Sequence, residues 1–449
     1  MQPAANGGPQ QADLLVVGGI VVTMDPRGSV LDAGALAVRD GAIVAIGPRD
    51  EVLATYTAAR TVDARRDLLM PGLVNGHTHV PMTLFRGLAD DLPLDAWLQQ
   101  HIWPAEREFL SPESIRWGTR LGAAEMVRGG VTTFCDMYFY AEEIAAAARE
   151  VGLRGVVSQG ILDFPTPQGL DPEQNVAYAV RLVERWRGDP LIVPAFGPHA
   201  PTTVSPPLLQ RLHALAERYD VPLVIHLAET RAEGEAIQQK YGTTPVRHLA
   251  NLGLLDRRLI AAHCVWVDDE EIGLLARHQV GVVHNPRSNL KLADGVAPVP
   301  AMLAAGVRLG LGTDGAASNN QIDLFAEIDA ATLIHKAVHL DPLAVPAAKA
   351  LEMATIGGAR ALGLDHLIGS LEVGKRADVV VIALDEDHLV PLYNPISHLG
   401  YAVRSADVRT VIVDGRVVLE DRALLTLDER AVRREVRALA SEIARRQRR

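Results

Sequence analysis

The chain has 449 residues, 48% of them hydrophobic and 22% charged, which supplies apolar surface for a sizeable core and excludes wholesale disorder. That length exceeds one ordinary core and suits a barrel of ~250 residues with a smaller companion. The 55 acidic residues outnumber 44 basic ones for a net charge of -11, which repels phosphate-rich partners and argues against nucleic-acid binding.

The first stretch, MQPAANGGPQQ, has neither a basic nor an apolar region of leader type and reads as a flexible tail over 1–11. No run of about 18 uncharged apolar residues occurs, so neither export nor membrane association is expected. From Ala12 to about Arg66 short β-branched runs alternate as in a small antiparallel sheet. Asp40-Gly41, between Val38 and Ile43, marks a hairpin because glycine accepts the positive φ of a tight primed turn.

From 69 to 366, short apolar runs alternate with amphipathic stretches such as Pro206–Tyr219 and Asp268–His278. Candidate strands end near His79, Asp136, Gln159, His199, His226, His263, His284 and Asp314. Eight β-then-α units predict an α/β fold, a (β/α)8 TIM-like barrel, whose chemistry belongs at the C-terminal strand ends. Beyond it the β texture of the N-terminal segment returns at Ala377–Leu384 and in VRTVIVDGRVVLED, with Asp414-Gly415 as turn. Neither terminal segment makes a core alone. Together they predict a composite β-sandwich companion from 12–68 and 367–449. A final helix over about Leu427–Gln447 follows from Val432, Val436, Leu439 and Ile443 at helical spacing, with Arg445, Arg446, Arg448 and Arg449 as a solvated end.

In LMPGLVNGHTH an apolar strand runs into His77-Thr78-His79, and alternation lets both imidazoles face one ion while Thr78 points away. His226 closes PLVIH and Glu229 follows in HLAET; His263 ends LIAAH, and Asp314 ends RLGLGTD. Singly each has a bland reading, as a loop-bonding histidine or a turn aspartate. Jointly, three histidines and one aspartate at the same end of separate strands make a first-row metal site. One divalent cation per subunit is expected, zinc first and iron(II) second. Such an ion lowers the pKa of its water towards about 7. Glu229 then carries the proton to substrate, while His263 and Asp314 orient the water. None of the five lysines lies at a strand end, so a two-metal centre bridged by carboxylated lysine is not expected; strand four offers His199 instead. Cys135 and Cys264 are unpaired in sequence, which fits a reducing, cytoplasmic setting and excludes the PCxxC deaminase pattern.

The blocks PGLVNGHTHVPMTLFRGLADDLPLDAWL, FGPHAPTTVSP, IHLAET, AAHCVWV, HNPRSNLKLADGVAPV and LGTDGAASNN resemble the amidohydrolase superfamily, most closely its methylthioadenosine/S-adenosylhomocysteine deaminase branch, which is related to the triazine hydrolases. The resemblance spans about Pro71–Gln321. It implies that His77, His79, His226 and Asp314 are metal ligands, Glu229 the proton shuttle, His263 the polariser of water, and His199 a substrate-binding histidine. Trp97 would form pocket wall, and Asp95 stands where adenosine-type members carry glutamate for the ribose hydroxyls. Where members that accept S-adenosylhomocysteine use arginines near the end of strand three, this chain has Gln159, a substrate-binding candidate whose neutral amide cannot form a charge-assisted fork with a carboxylate.

The expected activity is therefore hydrolytic deamination of a small heterocyclic amine, methylthioadenosine or adenosine first, giving the inosine analogue and ammonia. A triazine or guanine-like ring, with amine or chloride as leaving group, is the alternative. A non-catalytic scaffold would have lost part of the donor set, and every member is present. Self-association is expected by analogy with related barrels.

Overall fold

The computed structural model describes residues 8–447. Residues 1–7, most of the expected tail, and Arg448 and Arg449 lie outside them. Gln10 and Gln11 are not tail: they open strand Gln10–Val22, pairing with Tyr56 and Thr57.

Eight parallel strands form the barrel: Leu73–Thr78, Val131–Tyr138, Arg154–Ile161, Ile192–Pro198, Leu223–Leu227, Leu259–His263, Gly281–His284 and Arg308–Leu311. Strand eight meets strand one where the amides of Thr313 and Asp314 donate to the carbonyl of His77 at 3.1 and 3.0 Å. Val74, Cys135, Met137, Val156, Ala195, Val224, Ile260 and Val283 share one buried cluster drawn from seven of the strands, so the lumen is packed and the usable space lies at its mouth. Register irregularities in strand one, on either side of Asn75, re-aim the chain just before His77 and His79.

The terminal β-segments join into one nine-stranded sheet. Its N-terminal part is mixed rather than antiparallel: Gln10–Val22 runs parallel to Tyr56–Pro71 and antiparallel to Gly34–Arg39. Alternation of side chains reports a strand and its buried face, but carries no information on partner direction. Val379–Ile382 adds antiparallel to the end of Tyr56–Pro71, and Leu14, Leu36, Val62, Val381, Ile412 and Val417 share one core, so the two ends of the chain bury a common face. Both Asp-Gly turns form, and they touch. A Cβ on Gly415 would lie 2.6 Å from the Cα of Gly41, so glycine serves close approach there as well as positive φ. Gly72, between the companion sheet and barrel strand one, is equally confined: a Cβ would meet Thr132 Oγ1 at 2.0 Å.

The C-terminal helix spans Glu429–Gln447 and buries Val432, Val436 and Ile443. It packs along barrel helix Pro112–Arg128, where Arg128 donates to both oxygens of Glu429 at 2.6 and 2.7 Å, rather than lying with the companion sheet. No helix among the described residues is long and apolar enough to cross a membrane.

Candidate active site

The barrel mouth gathers His77, His79, His226, His263 and Asp314 from strands one, five, six and eight. Two sets of potential donor atoms, His77/His79/Asp314 and His77/His226/His263, each lie within 4.8 Å of one another. Asp314 Oδ1 stands 3.1 Å from His79 Nε2 and 3.4 Å from His77 Nε2. Its Oδ2 accepts hydroxyl hydrogen bonds from Ser288 and Ser318, both at 2.6 Å, which fixes which oxygen faces the cluster.

The hydrogen bonds behind the rings set their tautomers. His79 Nδ1 donates to the carbonyl of Met137 at 2.6 Å, and His226 Nδ1 to that of His199 at 2.8 Å, since a carbonyl only accepts. Both rings in their neutral form therefore present bare Nε2 lone pairs, 3.4 Å apart, to the same space. Neither nitrogen of His77, which is fully buried, has a hydrogen-bond partner. Convergent lone pairs and an orphaned buried imidazole are costly in an apolar interior and are satisfied by a cation, so this donor set fits a divalent metal.

Electrostatics keep His77, His226 and His263 neutral, and His79 departs from them. Burial drives His226 well below its ordinary value and His263 down to about 3, with neighbouring imidazoles adding to both. Burial also lowers His77, and takes His199 to about 4. His79 moves upward because the hydrogen bond and charge of Asp314 outweigh its desolvation. Asp314 is held well below the carboxylate range, its desolvation outweighed by the imidazoles of His77 and His79 that face its Oδ1.

Glu229 sits at the rim of the cluster with Oε1 3.6 Å from His263 Nε2. Burial first, then the charges of Asp294, Asp314, Glu233 and Asp95, raise its carboxyl well above the usual range. The strand ends around it are strained: Ala228, His263, Cys264 and Asp314 all have left-handed φ of 47 to 76° without being glycine. The strain is held by hydrogen bonds, the amides of Val265 and Trp266 both donating to the Ala228 carbonyl at 2.9 Å.

Over this cluster opens a cavity of about 340 Å³ lined by His199, Trp97, Asp95 and Glu229 among others. His199 is held by Thr203 Oγ1 at 3.0 Å with its ring 4.9 Å from that of His226. Trp97 is 4% exposed and donates its indole N–H to the carbonyl of Ala89 at 3.1 Å, while Asp95 is exposed at the entrance. Gln159 corrects the sequence reading. It is fully buried behind the wall, its oxygen accepting the Ala141 amide at 3.2 Å and its nitrogen donating to Gln168 and Asn175, so its amide is already engaged and does not line the cavity. Among the described residues the lining contains no lysine or arginine.

Sequence reasoning overlooked several neighbours. Ser288 lies in HNPRSN and Ser318 four residues after Asp314; a hydroxyl near a candidate ligand aspartate was the available signal. Asn289 Nδ2, 2.9 Å from His263 Nδ1, and the pair Glu106–Tyr138 come from segments whose proximity only the fold reveals.

A parallel eight-stranded barrel with imidazoles and a carboxylate converging at its carboxyl mouth is the architecture of a metal-dependent barrel hydrolase. The chain belongs to the amidohydrolase family, whose model matches residues 68–418; a model of a bacterial imidazolonepropionase-like composite domain matches 34–59. It is 52% identical over 97% of its length to a 5-methylthioadenosine/S-adenosylhomocysteine deaminase of Syntrophobacter fumaroxidans, of which it covers 99%. It is 43% identical over 96% of its length to a 5'-deoxyadenosine deaminase of Methanosarcina acetivorans, of which it covers 98%. Among solved structures it resembles a zinc-bound adenosine deaminase from Xanthomonas campestris, with TM-score 0.95, 44% identity, and coverage of 97% of this chain and 99% of that one. A zinc-bound atrazine chlorohydrolase from Arthrobacter aurescens matches at TM-score 0.88 and 26% identity, over 95% of this chain and 100% of the other.

Proposed function

We propose that the protein is a hydrolytic deaminase of adenine nucleosides with an uncharged 5' group, methylthioadenosine and adenosine first, forming the inosine analogue and ammonia. The observation that carries this reading is the juxtaposition of the convergent donor cluster with the buried carboxyl of Glu229 in a nucleoside-sized cavity. His77, His79, His226 and Asp314 would hold one divalent cation, zinc first and iron(II) second. When bound, that ion supplies Lewis-acid activation of the attacking water.

The chain's own groups do the rest. Glu229, raised in pKa, takes a proton from the water, passes it to the ring nitrogen next to the reacting carbon, and then protonates the leaving amine. His263 orients the water and stabilises the charge that develops on it. His199 binds the base, Trp97 supplies an apolar wall, and Asp95 accepts hydrogen bonds from the ribose hydroxyls at the entrance. A lining without cationic side chains offers nothing to pair the carboxylate of S-adenosylhomocysteine, which supports neutral 5' groups. A cytoplasmic setting and a homo-oligomeric state complete the reading, the latter tested by light scattering.

The deciding experiment assays ammonia and chloride release from adenine nucleosides, guanine and chlorotriazines with metal-loaded protein. Ammonia from methylthioadenosine or adenosine at the highest kcat/KM is the expected result; chloride release alone, or no ammonia from any aminopurine nucleoside, overturns the proposal. Glu229→Gln is expected to keep its metal while kcat falls by about 10²-fold or more.

A further inference from the structure

His263 is backed by the opposite kind of group from its neighbours in the cluster. Behind His79 and His226 stand backbone carbonyls, which accept from Nδ1. Behind His263 stand two side-chain amide nitrogens, the Nδ2 of Asn289 at 2.9 Å from its Nδ1 and that of Asn285 at 3.4 Å, and all three side chains are buried. Asp294 fixes which way the Asn289 amide points. Its Oδ2 accepts from the same Nδ2 at 3.4 Å, and an amide oxygen turned that way would meet another acceptor. Nδ2 carries two hydrogens, one for Asp294 and one for His263. The Asp294 amide also donates to the Asn289 carbonyl at 2.9 Å, and the Asp294 carbonyl accepts the indole N–H of Trp266 at 2.7 Å. The pair is thus fastened to the loop that leaves His263 itself. On the far side of the ring, Nε2 faces Glu229 Oε1 at 3.6 Å.

We propose that Asn289, oriented by Asp294, is a positioning residue that holds His263 in its Nε2–H tautomer, so that His263 meets the attacking water as a hydrogen-bond donor and is not a ligand of the ion. The assignment rests on the hydrolytic reading above. Distance alone leaves the role of His263 open, because His77/His226/His263 and His77/His79/Asp314 both fall within the same 4.8 Å. The tautomers separate them. A ligand needs a lone pair on the nitrogen that faces the ion, as His79 and His226 have. The lone pair of His263 is engaged on Nδ1 by Asn289, and the nitrogen that faces the cluster carries a proton instead. A donor there stabilises negative charge growing on the water oxygen while Glu229 takes its proton, and it leaves the ion to His77, His79, His226 and Asp314.

The test reads the ring nitrogens by NMR in protein labelled at its histidines, the His263 signals being those that vanish in His263→Gln. Spectra are taken with and without metal, at a pH above the value of about 7 to which burial raises Asp294. Wild type is expected to show a protonated Nε2 and a bare Nδ1 in both. Asn289→Asp, whose side chain only accepts, is expected to reverse the two nitrogens and to lower kcat by about 100-fold or more, with KM and metal content little changed. Asn289→Leu, which neither donates nor accepts, is expected to show both tautomers and an intermediate kcat. A bare Nε2 in wild type, or an undiminished kcat in Asn289→Asp, overturns the proposal, and the wild-type spectrum decides even if neither variant folds. The ring nitrogens are read without substrate, which keeps the two readings apart. A protonated Nε2 without ammonia from any nucleoside removes the deaminase reaction and leaves the role of Asn289. A bare Nε2 with ammonia release removes that role and leaves the reaction.

Discussion

Glu233 holds the backbone of Glu229. Its Oε2 accepts the Glu229 amide at 2.8 Å and its Oε1 the amide of left-handed Ala228 at 3.0 Å. A carboxylate one helical turn along thus fixes the loop that aims the proton shuttle. Glu233→Ala is expected to lower kcat by about 10- to 100-fold with little change in KM, because small misplacements of a reacting group carry costs of this size. Glu233→Gln, keeping one acceptor, is expected to fall between that variant and wild type. Steady-state kinetics beside metal content check this, and unchanged kcat in both variants removes the role.

The donor cluster makes a second prediction. His77→Ala and Asp314→Ala each delete a group that points at the shared space, so purified variants are expected to hold well under one metal per chain by elemental analysis. Wild type is expected to lose thermal stability on chelation, since a ligand at 1,000 times its Kd contributes about 4 kcal/mol. Variants that show no such metal-dependent shift in Tm support the assignment. Full metal content in either one contradicts it.

Arg154, whose side chain is 4% exposed, ties the barrel to the companion sheet. Its guanidinium lies 3.4 Å from Asp378 and 3.3 Å from Asp414, and donates to the Pro190 carbonyl at 2.8 Å. Truncation strands the carboxylate of Asp378, itself 2% exposed, so Arg154→Ala is expected to cost about 3–5 kcal/mol in denaturant unfolding. Arg120→Ala, which breaks the more exposed pair with Glu150, is expected to cost under about 1 kcal/mol. Equal losses would contradict the burial argument.

Glu327 gives a pH dependence with a defined sign. Burial raises its carboxyl to about 8 from 4.5, against hydrogen bonds from Asn319 and the Arg287 amide. A raised acid binds its proton more tightly in the folded chain. Its contribution is therefore complete below the unfolded pKa and is lost as pH rises through about 8. Unfolding free energies of metal-free protein are expected to fall more steeply with pH in wild type than in Glu327→Gln, by on the order of 1 kcal/mol per pH unit inside that window. Parallel slopes would refute the shift.

Much of the barrel was legible because each strand is a short apolar run and each chemically marked residue stops one. His226, His263 and Asp314 announce both a strand end and a donor. Less legible was anything decided by non-local pairing. The parallel partnership of Gln10–Val22 with Tyr56–Pro71 leaves the same alternation in sequence as an antiparallel one would. Gln159 was placed correctly at the end of strand three, yet its amide turns into a buried network with Asn175 and Gln168, and rotamer choice has no signature in spacing. Glu106 and Tyr138 are 32 positions apart, so only the folded chain could pair them.

The contact between the Asp40-Gly41 and Asp414-Gly415 turns has a bearing on biosynthesis. The Asp40-Gly41 hairpin leaves the ribosome well before its closing neighbour, with the whole barrel to be made in between. Until then the apolar face of the early strands stays uncovered, a hazard for aggregation during translation that a chaperone would have to contain. Chains truncated before Gly415 are therefore expected to come out insoluble, even with every residue of the catalytic mouth in place.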